Sequence, residues 1–255
     1  MYNFYSFSGL LNLTTLSLKR NKNITAEGMS ALSGLVNLLN LDLERCTSIY
    51  GGLVHLRCLS KLQALNLNCC NCITDADMEP LSGLHKLALL NMELCCVTAA
   101  CLDSLSAIEG LLHLNLSRCN MTGDGCNKFS RLKGLKSLNL GFNDISDDVL
   151  VHLKGLVNLE SLNLSFTAIT DGGLKHLCGL STLKSLNLDV RQITDTGLEA
   201  LTNFKNLQSL EICGGGLTDA GVANIKDLRS LMLLNLSQNY CLTDASLELI
   251  AGMFI

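Results

Sequence analysis

The 255-residue sequence is poor in several residue types: it contains no tryptophan, a single proline and only 4% aromatic residues. Hydrophobic residues nevertheless make up 48%, so a core must be built mainly from aliphatic side chains. No apolar run reaches the roughly 18 residues needed to span a bilayer, so we predict no membrane partner. Basic residues form no cluster of five or more and the net charge is −4, which argues against nucleic acid as a partner.

Cysteine is abundant by contrast, with thirteen residues, an odd number that cannot all pair within one chain. The N-terminal residues MYNFYSFSGLLNL lack the basic region and the small-residue cleavage site of a signal peptide. Together these features predict free thiols in a reducing compartment, and therefore a cytoplasmic or nuclear protein.

An internal repeat organises the whole chain. The segments LVNLESLNLSFTAITDGGLKHLCG and LSTLKSLNLDVRQITDTGLEALTN align without gaps at a shift of 24 residues. Leucines that open an L-x-x-L-x-L pattern recur in steps of 24 or 25 residues, at Leu13, Leu38, Leu62, Leu87, Leu111, Leu135, Leu159, Leu183, Leu207 and Leu231. About ten repeats therefore fill residues 1–255, which predicts a single domain.

Each repeat has the pattern of a short strand followed by a short helix. In the seventh repeat, Leu162 and Leu164 alternate with polar residues, which indicates a strand with one buried face. Thr170 then fits a helix N-cap, and Asp171 places negative charge on the first turn. One repeat cannot bury its leucines alone, so the repeats must stack. The prediction is an α/β horseshoe solenoid, with a parallel β-sheet on the concave face and short helices on the convex face.

The motif L-x-x-L-x-L-x-x-[NC]-x-[IL]-T-D resembles leucine-rich repeats of the cysteine-containing-like type over about residues 9–250. The units look closest to plant intracellular leucine-rich-repeat proteins, which are similar in turn to the repeat regions of F-box proteins. Those proteins select substrates for ubiquitin ligases, so the resemblance implies a protein-binding concave face. No F-box precedes the first repeat, so the resemblance does not imply binding to a ligase adaptor.

The third residue after the last strand leucine defines a ladder position. The resemblance implies that Asn or Cys there satisfies backbone carbonyls inside the turn, since an unsatisfied buried group would cost about 1–3 kcal/mol. The structural ladder residues are Asn21, Cys46, Cys70, Cys95, Cys119, Asn143 and Asn239. Thr167, Arg191 and Gly215 depart from the ladder, which predicts an altered turn edge in repeats seven to nine.

Two segments suggest ligand sites that the repeat also explains. The CCNC and CC clusters contain a residue type that binds zinc, but Cys70 and Cys95 lie in register with asparagine in other repeats. The segment EICGGGLTDAGV has the order strand, glycine-rich turn and helix of a phosphate-binding loop. The same turn recurs in every repeat with other residues, and no Lys-Ser/Thr follows it. We predict no metal and no cofactor.

The histidines form no catalytic arrangement. His55, His152 and His176 share one helix position, which favours solvent-facing residues, although the last two offer a weak metal site as an alternative. His113 should point from a strand into the concave face, but no nucleophile or carboxylate partner accompanies it. We predict no catalytic residues and a protein that is not an enzyme.

A column of strand residues is asparagine in seven of ten repeats, which predicts a polar ladder along the sheet. Side chains that depart from the repeat pattern are candidates for partner recognition. The candidate partner-binding residues are Asp42, Glu44, Arg45, Glu93, His113, Arg118, Phe142, Phe166, Asp189, Arg191 and Glu211. Phe142 and Phe166 occupy equivalent positions and either contact a partner or pack under the turn.

The ends of the array leave alternatives open. Tyr2, Phe4, Tyr5 and Phe7 are either an N-terminal cap or the remnant of an earlier repeat. No further strand follows AGMFI, which predicts an uncapped C-terminal end. Such an end indicates either a truncation of a longer protein or an end-to-end dimer through the exposed terminal repeat.

The leading hypothesis for function is a non-catalytic scaffold that binds a protein partner on its concave face. In a longer parent protein this scaffold would recognise substrates for ubiquitination. The alternatives are an extracellular receptor-like ligand-binding domain and a truncated or engineered array without its own activity. A count of free thiols separates the extracellular alternative from the intracellular hypothesis.

Overall fold

The structure, a computed structural model, describes residues 9–252 in two compact units that divide between Met121 and Thr122. The aromatic residues predicted as an N-terminal cap lie outside the described residues, as do the last three residues of AGMFI. That residues 1–255 form a single domain stays a prediction.

Within residues 9–121, the first unit contains five parallel strands that pair in sequence order. Their register aligns equivalent residues, so that Leu41 pairs with Leu65 and Leu65 with Leu90. The strands are β1 (Thr15–Ser17), β2 (Asn40–Asp42), β3 (Ala64–Asn66), β4 (Leu89–Asn91) and β5 (His113–Asn115). The helices are α1 (Ala26–Met29), α2 (Leu102–Leu105) and the 3-10 helices Ser30–Gly34, Gly52–Leu56, Asp75–Asp77, Glu79–Leu81 and Ala99–Cys101.

The second unit has the same plan, and Leu162 again pairs in register with Leu138 and Leu186. Its strands are β6 (Ser137–Asn139), β7 (Ser161–Asn163), β8 (Ser185–Asn187), β9 (Ser209–Glu211) and β10 (Leu233–Asn235). Its helices are α3 (Asp147–Leu153), α4 (Asp171–Leu174), α5 (Asp195–Glu199), α6 (Asp219–Ile225), α7 (Asp244–Ala251) and the 3-10 helices Cys126–Arg131 and Lys175–Leu177.

Alternation of polar and apolar residues produces the core of each unit. In the seventh repeat, Leu162 and Leu164 are buried on the inner side of the strand, and Leu174 and Leu177 are buried from the helical side. Full burial of a leucine side chain contributes about 1.5–3 kcal/mol. Strand and helix therefore need each other, and neither buries its leucines alone.

Serine or threonine N-caps precede helices α3 to α7. Helices α4 to α7 each begin at an aspartate that follows a threonine with extended backbone, such as Thr170 before α4. In the second repeat Tyr50 replaces the threonine, Gly51 has a φ of 73°, and only the 3-10 helix Gly52–Leu56 forms. The predicted architecture of leucine-rich repeats, with parallel strands and short helices, is confirmed. The helices within residues 9–252 are all too short or too polar to span a lipid bilayer.

Candidate functional site

The ladder side chains hydrogen-bond to backbone carbonyls in the turns that follow the strands. The Cys70 thiol lies 3.1 Å from the carbonyl oxygen of Leu43 in the preceding repeat. Asn143 donates within its own turn to the carbonyl of Leu140 at 2.9 Å. Equivalent bonds to carbonyls are made by Asn21, Cys46, Cys95, Cys119 and Asn239. These side chains brace the turns by their hydrogen bonds, and all of them except Asn21 are buried.

Burial also makes these thiols unreactive. It raises the pKa of Cys70 to about 12 and that of Cys119 to about 12, and it raises the pKa of Cys95 as well. The thiolate, which is the form that binds metals and acts as a nucleophile, is therefore disfavoured. Within residues 9–252, no three His, Cys, Asp or Glu side chains are grouped so that they could hold a metal ion.

The asparagine column hydrogen-bonds to the ends of the strands. Asn163 Oδ1 accepts a hydrogen bond from the backbone N–H of Ser165 at 2.8 Å, and the same bond recurs along the column. Glu211 takes the column position in the ninth repeat. There Asp189 of the preceding repeat accepts from the N–H of Cys213 instead, at 2.9 Å. The asparagines are thus explained by the fold, whereas Glu211 is not.

An aspartate at the start of the helix joins neighbouring repeats in the second unit, a role that sequence reasoning missed. Asp171 accepts two hydrogen bonds from Thr194 of the next repeat, from the N–H at 2.8 Å and from Oγ1 at 2.5 Å. The same pair of bonds joins Asp147 with Thr170, Asp195 with Thr218 and Asp219 with Thr243. The sequence feature that could have predicted these bonds is the recurrence of Thr-Asp at one repeat position, because each aspartate carboxylate reaches the threonine of the next repeat.

Small residues make room for these carboxylates. A Cβ atom at Gly197 would lie 2.3 Å from Oδ1 of Asp171, so glycine gives this carboxylate room in its present position. In the last repeat Ser246 takes this place and donates to Asp219. Hydrogen bonds from Ser246 and Thr243 lower the pKa of Asp219 to about 2.

At the N-terminal end, the predicted residues Asp42, Glu44 and Arg45 come together. Glu44 forms an ion pair with Lys19 at 2.5 Å and lies 3.8 Å from Nε of Arg45. The hydrogen bond from Lys19 lowers the pKa of Glu44. Asp42 accepts from the Asn66 amide at 2.9 Å. Glu44 is thus paired with two cationic side chains, and Asp42 is hydrogen-bonded to a neutral amide.

A second group lies on strands β4 and β5 and the turns after them. Arg118 Nε is 3.9 Å from Glu93 Oε1, and the Asn115 amide donates to Glu93 Oε2 at 3.3 Å. His113 is exposed at the start of β5, two residues before Asn115. The structure therefore places these three predicted residues on one face of the first unit.

Phe142 and Phe166 stack on each other at the surface of the second unit. Their ring centroids are 4.4 Å apart and the ring planes differ by 16°. Phe142 is 38% exposed and Phe166 is 61% exposed, so neither ring is enclosed under a turn.

Both phenylalanines occupy what we name the apex position, the residue immediately before the ladder position. The backbone there is left-handed in nine of ten repeats, with a φ of 58° at Phe142 and 55° at Phe166. The other apex residues with positive φ are Arg20, Arg45, Cys69, Leu94, Arg118, Gly214 and Gln238. Most of these side chains are exposed, so the apex position presents its side chain to solvent whatever the residue type.

Val190 is the one apex residue without a positive φ among the described residues. A β-branched side chain is disfavoured in the left-handed region, and Val190 is buried instead. Arg191, at the ladder position, is exposed. Val190 thus occupies the interior place and Arg191 faces solvent, which gives the altered turn edge of repeat eight a physical cause.

In repeats seven and nine the apex residues Phe166 and Gly214 keep the left-handed backbone. Thr167 donates to the carbonyl of Leu164, as a ladder residue does.

A surface depression of about 640 Å³ lies beside Phe166. The residues that line it include Phe166, Asp189, Arg191, Cys213, Gly214 and Gln238. Burial and the carboxylates of Asp189 and Glu211 raise the pKa of Cys213 to about 11. Both carboxylates therefore act on the same half-buried thiol at this end of the second unit.

The three aligned histidines are surface residues of the helical side. His55 and His152 are half-buried, and His176 is exposed.

Comparison with known proteins agrees with this architecture. A family model described as "Leucine Rich repeat" matches residues 9–33, 58–82, 111–130, 135–148 and 156–178. An internalin (InlF) structure from Listeria monocytogenes is 24% identical with a TM-score of 0.67, and the match covers 88% of this chain and 68% of that one. Internalin C2 of the same organism is 22% identical with a TM-score of 0.58, covering 90% and 80%.

A leucine-rich-repeat protein of Leptospira interrogans is 23% identical with a TM-score of 0.70, and the match covers 97% of this chain and 60% of that one. No curated protein sequence matches the chain. At these identities the structures establish the fold alone, which is a leucine-rich-repeat solenoid.

Proposed function

We propose that this leucine-rich-repeat chain is a non-catalytic scaffold that binds a protein partner on its strand face, with the stacked pair Phe142–Phe166 as the central contact. The observation that carries the proposal is the exposure of two adjacent aromatic rings in a chain with only 4% aromatic residues. Aromatic side chains are enriched among the residues that dominate binding energies at protein interfaces.

Folding does not require phenylalanine at these two places. The apex position accepts arginine, cysteine, leucine, glycine and glutamine in other repeats with the same left-handed backbone. An exposed phenylalanine there adds apolar surface that folding leaves in contact with water. Burial of the stacked pair by a partner would remove that surface from water.

The finer aspects of the proposal rest on resemblance. Substrate recognition for ubiquitination requires a longer parent protein, and the odd number of cysteines supports a cytoplasmic or nuclear location. An extracellular receptor-like domain remains the alternative. Quantification of free thiols in protein purified from its native source separates the two, since thirteen reactive thiols after denaturation would support the intracellular proposal.

The test uses proteins captured from native extract and then purified for titration calorimetry. We expect the double variant Phe142→Ala and Phe166→Ala to weaken binding by at least about 30-fold, since a hot-spot truncation costs roughly 2 kcal/mol or more. Leu94→Ala is the matched control, because Leu94 is an exposed apolar apex residue of the first unit. Unchanged affinity of a folded double variant, or equal weakening by the control, would contradict the proposal.

A further inference from the structure

The strand face of the second unit offers small neutral side chains around two acidic residues. Each of strands β6 to β9 begins with serine, and each of β6, β7, β8 and β10 ends with asparagine. We consider the residues of strands β6 to β10 together with the residue two positions after each strand. Among these, the charged residues are Glu211 and Asp189. Both are acidic and lie on adjacent repeats, so this face has a local negative charge with little steric obstruction.

Asp189 lines the depression, and Glu211 pairs in register with Asn235, which lines it too. Asp189 is fixed by the hydrogen bond that it accepts from the N–H of Cys213, and both Asp189 and Glu211 act electrostatically on the Cys213 thiol. Neither carboxylate forms an ion pair within the described part of the chain, although the exposed Arg191 also lines this depression. Their charge is therefore left for a cation from outside the chain.

Phe166 also lines this depression. One face of its ring is covered by Phe142, and the ring also borders the space lined by Asp189 and Cys213. An aromatic face beside a carboxylate suits a guanidinium group, which stacks on the ring and donates two parallel hydrogen bonds to a carboxylate. A lysine ammonium would satisfy the charge but would not stack.

We propose that this depression binds an arginine side chain of the protein partner, with the guanidinium against Phe166 and within hydrogen-bonding reach of Asp189 and Glu211. The inference rests on the proposed function, because it names the chemistry of the partner on the same strand face. It extends that function by assigning an anchor residue to the partner and a recognition role to Asp189 and Glu211. Asp189 and Glu211 are not part of the phenylalanine pair on which the proposed function rests.

The test is an NMR titration of the full chain with the capped peptide Ac-Gly-Ser-Arg-Ser-Gly-amide. The matched probe carries citrulline in place of arginine, which keeps the shape and removes the charge. We expect the arginine peptide to shift the amide signals of Cys213 and Gly214 with a dissociation constant on the order of millimolar. The double variant Asp189→Asn and Glu211→Gln should weaken binding about tenfold or more.

Both substitutions keep the shape of the side chain, and an asparagine oxygen at 189 still accepts from the Cys213 N–H. Asp227→Asn removes one exposed charge elsewhere in the second unit and should leave the titration unchanged. Equal shifts with the citrulline peptide, no shifts near Cys213, or unchanged binding by the double variant would overturn the inference. The capture experiment with the phenylalanine variant is independent of these results, so the proposed function stands or fails separately.

Discussion

Substitutions at Asp171 and Gly197 test how one repeat is joined to the next. Asp171 accepts two hydrogen bonds from Thr194 across the repeat boundary, and its carboxylate occupies the space that a side chain at residue 197 would need. Removal of the carboxylate and addition of a methyl group at residue 197 should therefore each destabilise the protein. The second change should do little once the first has been made.

The magnitude for Asp171→Ala follows from the two lost bonds. Hydrogen bonds to charged groups contribute about 1.5–3 kcal/mol, but Asp171 is only half-buried and water competes, so we expect about 2 kcal/mol for the pair. Asp244→Ala is the matched control. Asp244 also starts a helix, and its carboxylate accepts no hydrogen bond within residues 9–252, so only a helix-dipole contribution of about 0.3–1 kcal/mol is lost.

Gly197→Ala completes a double-mutant cycle. In the wild type its Cβ would lie 2.3 Å from the Asp171 carboxylate, which must then shift and weaken its bonds to Thr194, at a cost of up to about 2 kcal/mol. In the Asp171→Ala background the nearest remaining atom is Cδ1 of Leu174 at 3.2 Å, which a flexible side chain can relieve. Alanine also favours a helix over glycine by about 1 kcal/mol, so the second substitution should be nearly neutral there.

Urea unfolding followed by circular dichroism gives the four free energies of unfolding. The expected coupling between the two sites is up to about 2 kcal/mol. The reasoning is refuted if Gly197→Ala costs the same in both backgrounds, or if Asp171→Ala is no more destabilising than Asp244→Ala.

Two further predictions concern protons and thiols. The folded-state pKa of Asp219 is lowered to about 2 by Ser246 and Thr243, so this stabilisation is complete above the unfolded pKa of about 3.9 and is lost as the pH falls through about 2. The difference in unfolding free energy between the wild type and Ser246→Ala should therefore shrink in acid, and a difference independent of pH would contradict it. Iodoacetamide near pH 8 should label exposed Cys58, Cys96, Cys178 and Cys241 quickly, whereas Cys70 and Cys119, with pKa values raised to about 12, should react only on unfolding. Mass spectrometry of the peptides over time checks this, and fast labelling of Cys70 would contradict it.

The sequence by itself determined the repeats, the order of their elements and most of the core. The period of 24 or 25 residues, the alternation around Leu162 and Leu164 and the recurring threonine caps are local patterns. One strand face and one helix stripe can be buried only by stacking, so these patterns leave few arrangements open. The strands, the buried leucines and the placement of the helices followed from such patterns.

Only the tertiary structure decided what each exposed or linking side chain contacts. The sequence predicted that Asp171 places negative charge on the first turn of its helix. In the structure it also accepts a hydrogen bond from Thr194 of the next repeat. The sequence left Phe142 free to lie under the turn or at the surface, and the left-handed backbone exposed it against Phe166. Hydrophobic periodicity specifies which face is buried, but contacts between repeats depend on distances of a few ångströms, which only the packed chain sets.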